Sequence, residues 1–168
     1  LLGDGVAEIL GPPEERSLVR DREMEIRKGP DVKIPLSLSA APLKDDAGHT
    51  VYTPPQEPAI IVNLMSDLER FINDDTVFDA DPLIKMALIH HQFEAIHPFY
   101  DGNGRTGRII NVLYLVKQRL LDIPVLYLSR HIVRTKFDYY RLLREVRERD
   151  NWEEWVMYFL DAVEQIAA

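Results

Sequence analysis

The 168-residue chain contains no cysteine, which excludes disulfides and thiolate metal sites and fits a reducing compartment. It has no apolar run near the roughly 20 residues needed to span a bilayer and no signal-peptide pattern at its start. A cytoplasmic protein with no membrane partner is the expectation. Basic charge is in deficit, since 20 Lys and Arg against 28 Asp and Glu give a formal net charge of -8. Such a balance disfavours direct nucleic-acid binding by this domain, which needs a basic face. It leaves room for a local arginine cluster that holds phosphates. Internal repeats and low-complexity tracts are also lacking, and the length fits one domain with a substantial core.

What is present divides unevenly. In residues 1–50, Pro12-Pro13, Gly29-Pro30, Pro35 and Pro42 interrupt every candidate helix. Leu18 to Ile26 reads equally as a short helix or a strand. Asp45 to Gly48 reads as a turn before the β-prone His49 to Thr53, so a short hairpin is expected there. From Glu57 the pattern is helical. Pro58 suits a first helical position, with Ile61, Leu64, Leu68, Phe71 and Ile72 on one face. A second helix starts at Asp81-Pro82 and carries Leu83, Ile84, Ala87, Leu88 and His91. It stops near Ile96 or His97, because the residue before Pro98 is pushed out of the α region. A third helix follows Gly102-Asn103-Gly104 to about Leu121, with Ile109, Val112, Leu113 and Val116 expected to face inward. Ile110 and Leu115 widen its apolar surface, so it is expected to be central and buried. Ser129 is the expected cap of a fourth helix, interrupted near Thr135. Asn151 is the expected cap of a fifth, which holds Trp152, Trp155, Phe159 and Val163.

The chemistry concentrates in His97-Pro98-Phe99-Tyr100-Asp101-Gly102-Asn103-Gly104-Arg105-Thr106-Gly107-Arg108, a loop that feeds a helix N-terminus. Unpaired N–H groups and the helix dipole favour an anion there. Gly102 and Gly104 allow positive φ and close approach to a ligand. Arg105 and Arg108, three residues apart on the first turn, suit a polyphosphate better than one carboxylate. Asp101 among phosphates implies a bridging Mg²⁺, and His97 supplies a base whose unperturbed pKa is near ~6.5. Taken singly, a His before Pro, a Gly-Asn-Gly turn, an Asp cap and an i, i+3 arginine pair all have structural readings. In this order at one junction they point to nucleotidyl or phosphoryl transfer. His90 and His91 are adjacent on a helix and face different sides, so they read as structural.

The segment resembles the Fic family signature HxFx(D/E)GNGRxxR at every specified position. The resemblance covers about residues 50–168, which makes 50–168 a Fic domain and 1–49 an N-terminal segment of unassigned structure. It implies a mainly α fold, a Fic-type helical bundle with a small β-hairpin flap. It implies protein adenylyltransferase activity, moving AMP from ATP to a Ser, Thr or Tyr hydroxyl of a target protein with release of pyrophosphate. By matching position, His97 would be the base and Asp101 would hold Mg²⁺. Gly102, Asn103 and Gly104 would surround the α-phosphate, and Arg105 and Arg108 would hold the β- and γ-phosphates. Thr106 and Gly107 belong to the same ATP-binding segment. Phe99 would anchor the loop in the core. Tyr139 and Tyr140 resemble the family's pair at the adenine pocket, although tyrosines on an apolar helix face are equally often core. Val51 to Pro55 lies where the family carries a flap that aligns the target as an added strand, which makes Tyr52 and Thr53 target-site candidates. A homodimer is a further partner to be expected.

Many Fic proteins are restrained by a helix bearing (S/T)xxxE(G/N), whose Glu pairs with the second signature arginine. This sequence has no Glu-Gly or Glu-Asn dipeptide. The inhibitory helix would lie upstream of Leu1, come from a partner in trans, or be replaced by other regulation, and the non-Met start favours the first. Two rival functions stand beside AMP transfer. One is a Doc-like kinase that binds ATP reversed, a branch that tends to carry lysine where this chain has Gly104. The other is a catalytically silent module that binds a nucleotide or a peptide, against which every signature position is intact.

Overall fold

Proline sets where the main helices begin. A computed structural model describes residues 22–27, 33–38, 43–44 and 50–167. Helix α1 (Pro58–Asn73) and helix α2 (Pro82–Ile96) each start on a proline, where the missing N–H costs nothing and φ is preset. The Asp81 side chain caps α2 by accepting from the Leu83 N–H at 2.8 Å. Helices α3 (Asn103–Lys117), α4 (Leu128–Arg134), α5 (Lys136–Arg149) and α6 (Trp152–Ala167) complete a mainly helical chain. Before them, β1 (Arg22–Arg27) pairs antiparallel with β2 (Lys33–Leu38), with Glu25 opposite Pro35. β3 (Leu43–Lys44) pairs antiparallel with β4 (Thr50–Tyr52). The Leu18–Ile26 ambiguity therefore resolves to strand over Arg22–Arg27. Leu18 to Asp21 and the expected turn at 45–48 lie outside the described residues.

The central helix is α2, against the expectation for α3. From Lys85 to His91 every residue of α2 is buried, and α1, α3 and α6 all pack against it. Burial on all sides requires the polar members to be paired. Lys85 reaches Asp75 at 2.9 Å and lies over the Phe71 ring. His90 meets the Tyr139 hydroxyl at 3.0 Å and the Asn111 amide at 3.2 Å. His91 contacts the Leu143 carbonyl at 3.4 Å. Both rings sit among aromatic side chains that include Trp155, whose indole N–H donates to the Ala87 carbonyl at 2.8 Å. Burial lowers the pKa of His90 and of His91 to about 3, so both are neutral core groups, as read from the sequence.

Helix α3 presents a different face from the one its aliphatic residues suggested. Asn103, Gly107, Asn111, Tyr114 and Leu115 are buried, while Ile109 and Leu113 are more than half exposed; Val112 and Val116 are half-buried. The inward ridge runs through 103, 107, 111 and 115, four residues apart, the spacing that interlocks helices. At 103, 107 and 111 it is small or polar, because α2 approaches Gly107 too closely for an aliphatic chain, and Leu115 continues the ridge into the core. A Cβ on Gly107 would lie 3.2 Å from Phe93 Cδ1 and 3.3 Å from His90 Cε1. The helix also ends at Lys117, short of Leu121. Ser129 is not the cap of α4, which starts at Leu128 after Tyr127; the break at Thr135 falls where expected, between α4 and α5. Asn151 directs its amide to Glu145 at 3.1 Å.

The two faces of α3 separate in a stability measurement. Leu115→Ala should lower the unfolding free energy in urea by about 2–5 kcal/mol, as for other buried leucines. Leu113→Ala should change it by less than about 0.5 kcal/mol. Equal losses would return Leu113 to the core.

Candidate active site

The loop between α2 and α3 is shaped at both ends by left-handed backbone. His97 takes φ 49° and ψ 56°, with its N–H on the Phe93 carbonyl at 2.9 Å. Such a conformation costs a non-glycine residue about 1–3 kcal/mol and persists only when the surroundings hold it. Pro98 contributes, since it disfavours continued helix at residue 97. At the other end Gly102 has φ 84°, and nothing lies within 4 Å of where its Cβ would be. Its backbone angle, not crowding, requires glycine.

Between these ends, Asn103 closes the loop on itself. Its Oδ1 accepts from the Phe99 N–H at 2.9 Å, and its amide donates to the Phe99 carbonyl. The Asn103 side chain is buried and occupied by this clamp. The Phe99 ring packs 6.3 Å from Phe93, the anchoring expected of it. Helix α3 makes its first internal bond from the Thr106 N–H to the Gly102 carbonyl at 2.9 Å, and the Thr106 hydroxyl donates to the same oxygen at 3.0 Å. The N–H groups of residues 103 to 105 therefore have no acceptor within the helix, and they form the positive end of its dipole.

These elements enclose a cleft of about 420 Å³, within the range of small-molecule sites. His97, Asp101, Gly102, Asn103, Gly104, Arg105 and Arg108 line one side of it. Ile132 and Val133 of α4 and Lys136, Tyr139 and Tyr140 of α5 line the other. Thr106 and Gly107 do not line the cleft; Gly107 is the notch that lets α3 approach α2. Tyr139 is buried, with its ring 5.3 Å from that of Tyr140. It thus belongs to the core and touches the cleft as well. Tyr140 is half-buried, and the Lys136 ammonium lies 5.9 Å from its ring. Tyr52 and Thr53 lie outside the lining. The Tyr52 hydroxyl donates to the Ala95 carbonyl at 3.0 Å and its ring lies under the Arg147 guanidinium at 4.0 Å, so its side chain fastens β4 to the end of α2.

Sequence reasoning overlooked Glu94. This carboxyl is buried in the cleft wall behind His97, with Oε2 3.9 Å from His97 Nδ1 and Oε1 3.9 Å from His90 Nε2. Burial raises its pKa to about 7, and the nearby Arg108 opposes the rise. Burial also lowers the pKa of His97, opposed by the Glu94 main-chain carbonyl, which favours the protonated ring. The signal was available as a carboxylate three residues before the loop histidine, hence on the same helix face. Ile132, Val133 and Lys136 were overlooked too. A larger groove of about 590 Å³ lies between α4, α5 and α6, lined by Asp138, Glu153, Glu154 and Asp161. Its one arginine, Arg141, is engaged by Glu145 at 2.9 Å and Glu154 at 3.4 Å. It offers an anion nothing comparable to the first cleft.

The comparisons with known proteins converge on one family. A sequence model described as the Fic/DOC family matches residues 15–115. Protein adenylyltransferase fic-1 of Caenorhabditis elegans is 33% identical over 89 residues, covering 53% of this chain and 16% of that protein. The probable protein adenylyltransferase aq_aa38 of Aquifex aeolicus is 34% identical over 95 residues, covering 56% of this chain and 26% of that one. The chain therefore spans about a quarter or less of the length of these curated relatives. Among solved structures, a Fic family protein from Desulfovibrio desulfuricans superposes with a TM-score of 0.60 at 25% identity, over 97% of this chain and 46% of its own.

The Asn103 clamp has a measurable weight. Asn103→Ala leaves two Phe99 backbone groups without their side-chain partner, and should lower stability by about 1–3 kcal/mol. Amide exchange at residues 98–103 should quicken alongside. Unchanged exchange would show that the clamp does not hold the loop.

Proposed function

The chain belongs to the Fic/DOC family, and from that premise we propose that it is a protein adenylyltransferase that moves AMP from ATP to a Ser, Thr or Tyr hydroxyl of a target protein. We assign the activity to residues 50–168. The observation that carries the reading is the convergence on one cleft of a base, two arginines, a carboxylate and an unpaired helix N-terminus. An acceptor hydroxyl, a triphosphate and its charge each find a partner there.

In this reading His97 takes the proton of the target hydroxyl as the oxygen attacks the α-phosphorus. The bond from that phosphorus to the bridging oxygen breaks, and pyrophosphate leaves. Because the Asn103 side chain is committed to Phe99, the α-phosphate is held by main-chain N–H groups of residues 103 to 105. These are fixed dipoles that need no reorganisation. Gly102 and Gly104 keep that surface free of side chains, and a Cβ on Gly104 would come within 3.1 Å of Arg108 Nη1. Arg105 and Arg108 clamp the β- and γ-phosphates. Asp101 is the residue that would hold Mg²⁺. A single carboxylate suits an ion that takes its other ligands from phosphate and water, and among the described residues no group of three or more His, Cys, Asp or Glu side chains could hold a metal. When bound, the ion would neutralise charge on the departing pyrophosphate. Tyr139 and Tyr140, with Ile132 and Val133, give the adenine its apolar wall. Since the Tyr52 side chain is engaged internally, the end of β4 and the residue after it would align the target through the main chain of Tyr52 and Thr53. An inhibitory glutamate supplied by another segment or protein would act at Arg108.

Two measurements test this. Given ATP labelled separately at the α- and γ-phosphates, with Mg²⁺ and a target or the protein itself as acceptor, only the α-label should be transferred. His97→Ala should reduce that transfer by about 10²–10⁴-fold while leaving ATP affinity nearly intact. Transfer of the γ-label would make the protein a kinase of the Doc type. Arg108→Ala should instead weaken ATP binding, by about 1.5–3 kcal/mol for a charge-assisted contact. Unchanged affinity and rate would remove the clamp.

A further inference from the structure

Glu94 is the one buried acid in the cleft wall, and the transfer described above gives it no part. Its position is specific. The carboxylate projects from α2 one turn before His97, so that Oε2 faces His97 Nδ1 at 3.9 Å. Neither His97 Nδ1 nor Glu94 Oε1 has a hydrogen-bond partner, and both atoms are buried. Oε1 faces His90 Nε2, and Oε2 is the oxygen turned toward His97. A buried ring nitrogen without a partner beside a carboxylate oxygen is costly unless the two meet in some state of the molecule. The remaining charged or titratable groups facing Glu94 are His90 on α2, Arg108 on α3 and Tyr139 on α5. His90 is neutral and bonded to Tyr139 and Asn111. Burial holds the Tyr139 hydroxyl protonated, its pKa well above the usual value. Arg108 is the remaining cation, and phosphates would draw it toward the cleft.

We propose that Glu94 is a positioning residue for AMP transfer: it holds the His97 ring by Nδ1 and stabilises the proton that His97 takes from the target hydroxyl. The proposal rests on the reading of His97 as the base. With Nδ1 turned to Glu94, Nε2 is the nitrogen left for the hydroxyl. A separation of 3.9 Å tightens to a hydrogen bond through a small ring rotation, as such contacts do when a site fills. The proton passes from the target oxygen to Nε2, and the positive charge formed on the ring lies against the Glu94 carboxylate. The pair then carries one shared proton and no net charge, so the dry wall is never asked to hold an isolated imidazolium. The step therefore requires Glu94 ionised and His97 neutral. Since burial raises Glu94 to about 7, the competent state fills as pH rises through that value and is lost below it.

The test compares wild type with Glu94→Gln, which keeps the shape, and Glu94→Asp, which keeps the charge. The first readout needs no substrate: NMR titration of the His97 Cε1–H, assigned by its loss in His97→Ala. The wild-type resonance should move in two steps, the upper near pH 7 where Glu94 ionises, and Glu94→Gln should lose the upper step. The second is the pH profile of transfer at saturating ATP. Wild-type kcat should rise through about pH 7. In Glu94→Gln it should fall by about 10–100-fold, less than the loss of a general base outright. Its acidic limb should shift to lower pH, with KM for ATP within about twofold, and Glu94→Asp should recover part of the rate. A one-step wild-type titration, or a Gln variant with wild-type kcat and pH profile, overturns the proposal. If wild type transfers no AMP, the activity reading fails and the titration alone decides whether the pair exists.

Discussion

Everything at the cleft depends on how closely α3 crosses α2. Gly107 leaves α3 without a side chain where Phe93, His90 and Glu94 come forward, each within 3.3 Å of the absent Cβ. Asn111, one turn further, ties the same helices through His90. With the helices locked in contact, the six residues from His97 to Gly102 must turn the chain within a very short span. That demand explains the left-handed angles at His97 and Gly102. It also sets the C-terminal end of α2, followed by His97, beside the N-terminal end of α3, with its unpaired amides. A longer or looser connection would separate two groups that any transfer chemistry requires within one substrate's length.

The signature segment consequently divides into two kinds of residue. Phe99, Asn103, Thr106 and Gly107 make the loop: a core anchor, a clamp on the anchor's backbone, a hydroxyl folded onto the Gly102 carbonyl, and a helix-crossing notch. His97, Asp101, Arg105 and Arg108 face the cleft. Motif identity alone does not distinguish them. Asn103 and Gly107 stand among the expected ATP contacts because they lie inside the motif, yet the side chain of one is occupied and the other is buried against α2. Such a site is rigid because half of its motif is spent on its own backbone.

Helix starts at Pro58 and Pro82, the stop at His97 and the mainly helical class were legible from local rules, since each rests on a proline or on a single-face periodicity. The inward face of α3 was not. Its aliphatic residues outnumber its small ones, and counting them selects Ile109 and Leu113, whereas the close crossing selects Gly107 and Asn111. A hydrophobic pattern reports which face is greasy, and a crossing at glycine distance reports which face is small. Glu94 was missed for a related reason. A glutamate in a helix reads as solvated, and its burial follows from tertiary packing alone. Tyr52 was legible as part of a β-prone run, but its engagement with Ala95 and Arg147 links positions 43 and 95 residues apart.

The acidity of the chain and the anionic ligand assigned to it do not conflict, because electrostatics here is short-ranged. At physiological salt the Debye length is about 8 Å, so most of the surface acids behind the net charge of -8 are screened from the cleft. In the proposed reading Arg105, Arg108 and the α3 N-terminus would act on a ligand at contact. The wall itself carries Asp101 at its rim and Glu94 within. Asp101 faces solvent and suits a cation-bridged phosphate. Glu94 is the acid whose charge the cleft cannot dilute, and burial keeps much of its population protonated near neutrality. A protonated Glu94 leaves His97 without a counter-charge. An ionised one gives His97 a counter-charge. In the proposed transfer the charge that matters at His97 is therefore this local one and not the net charge of the chain, and a pKa close to 7 lets both of its states be populated near neutrality.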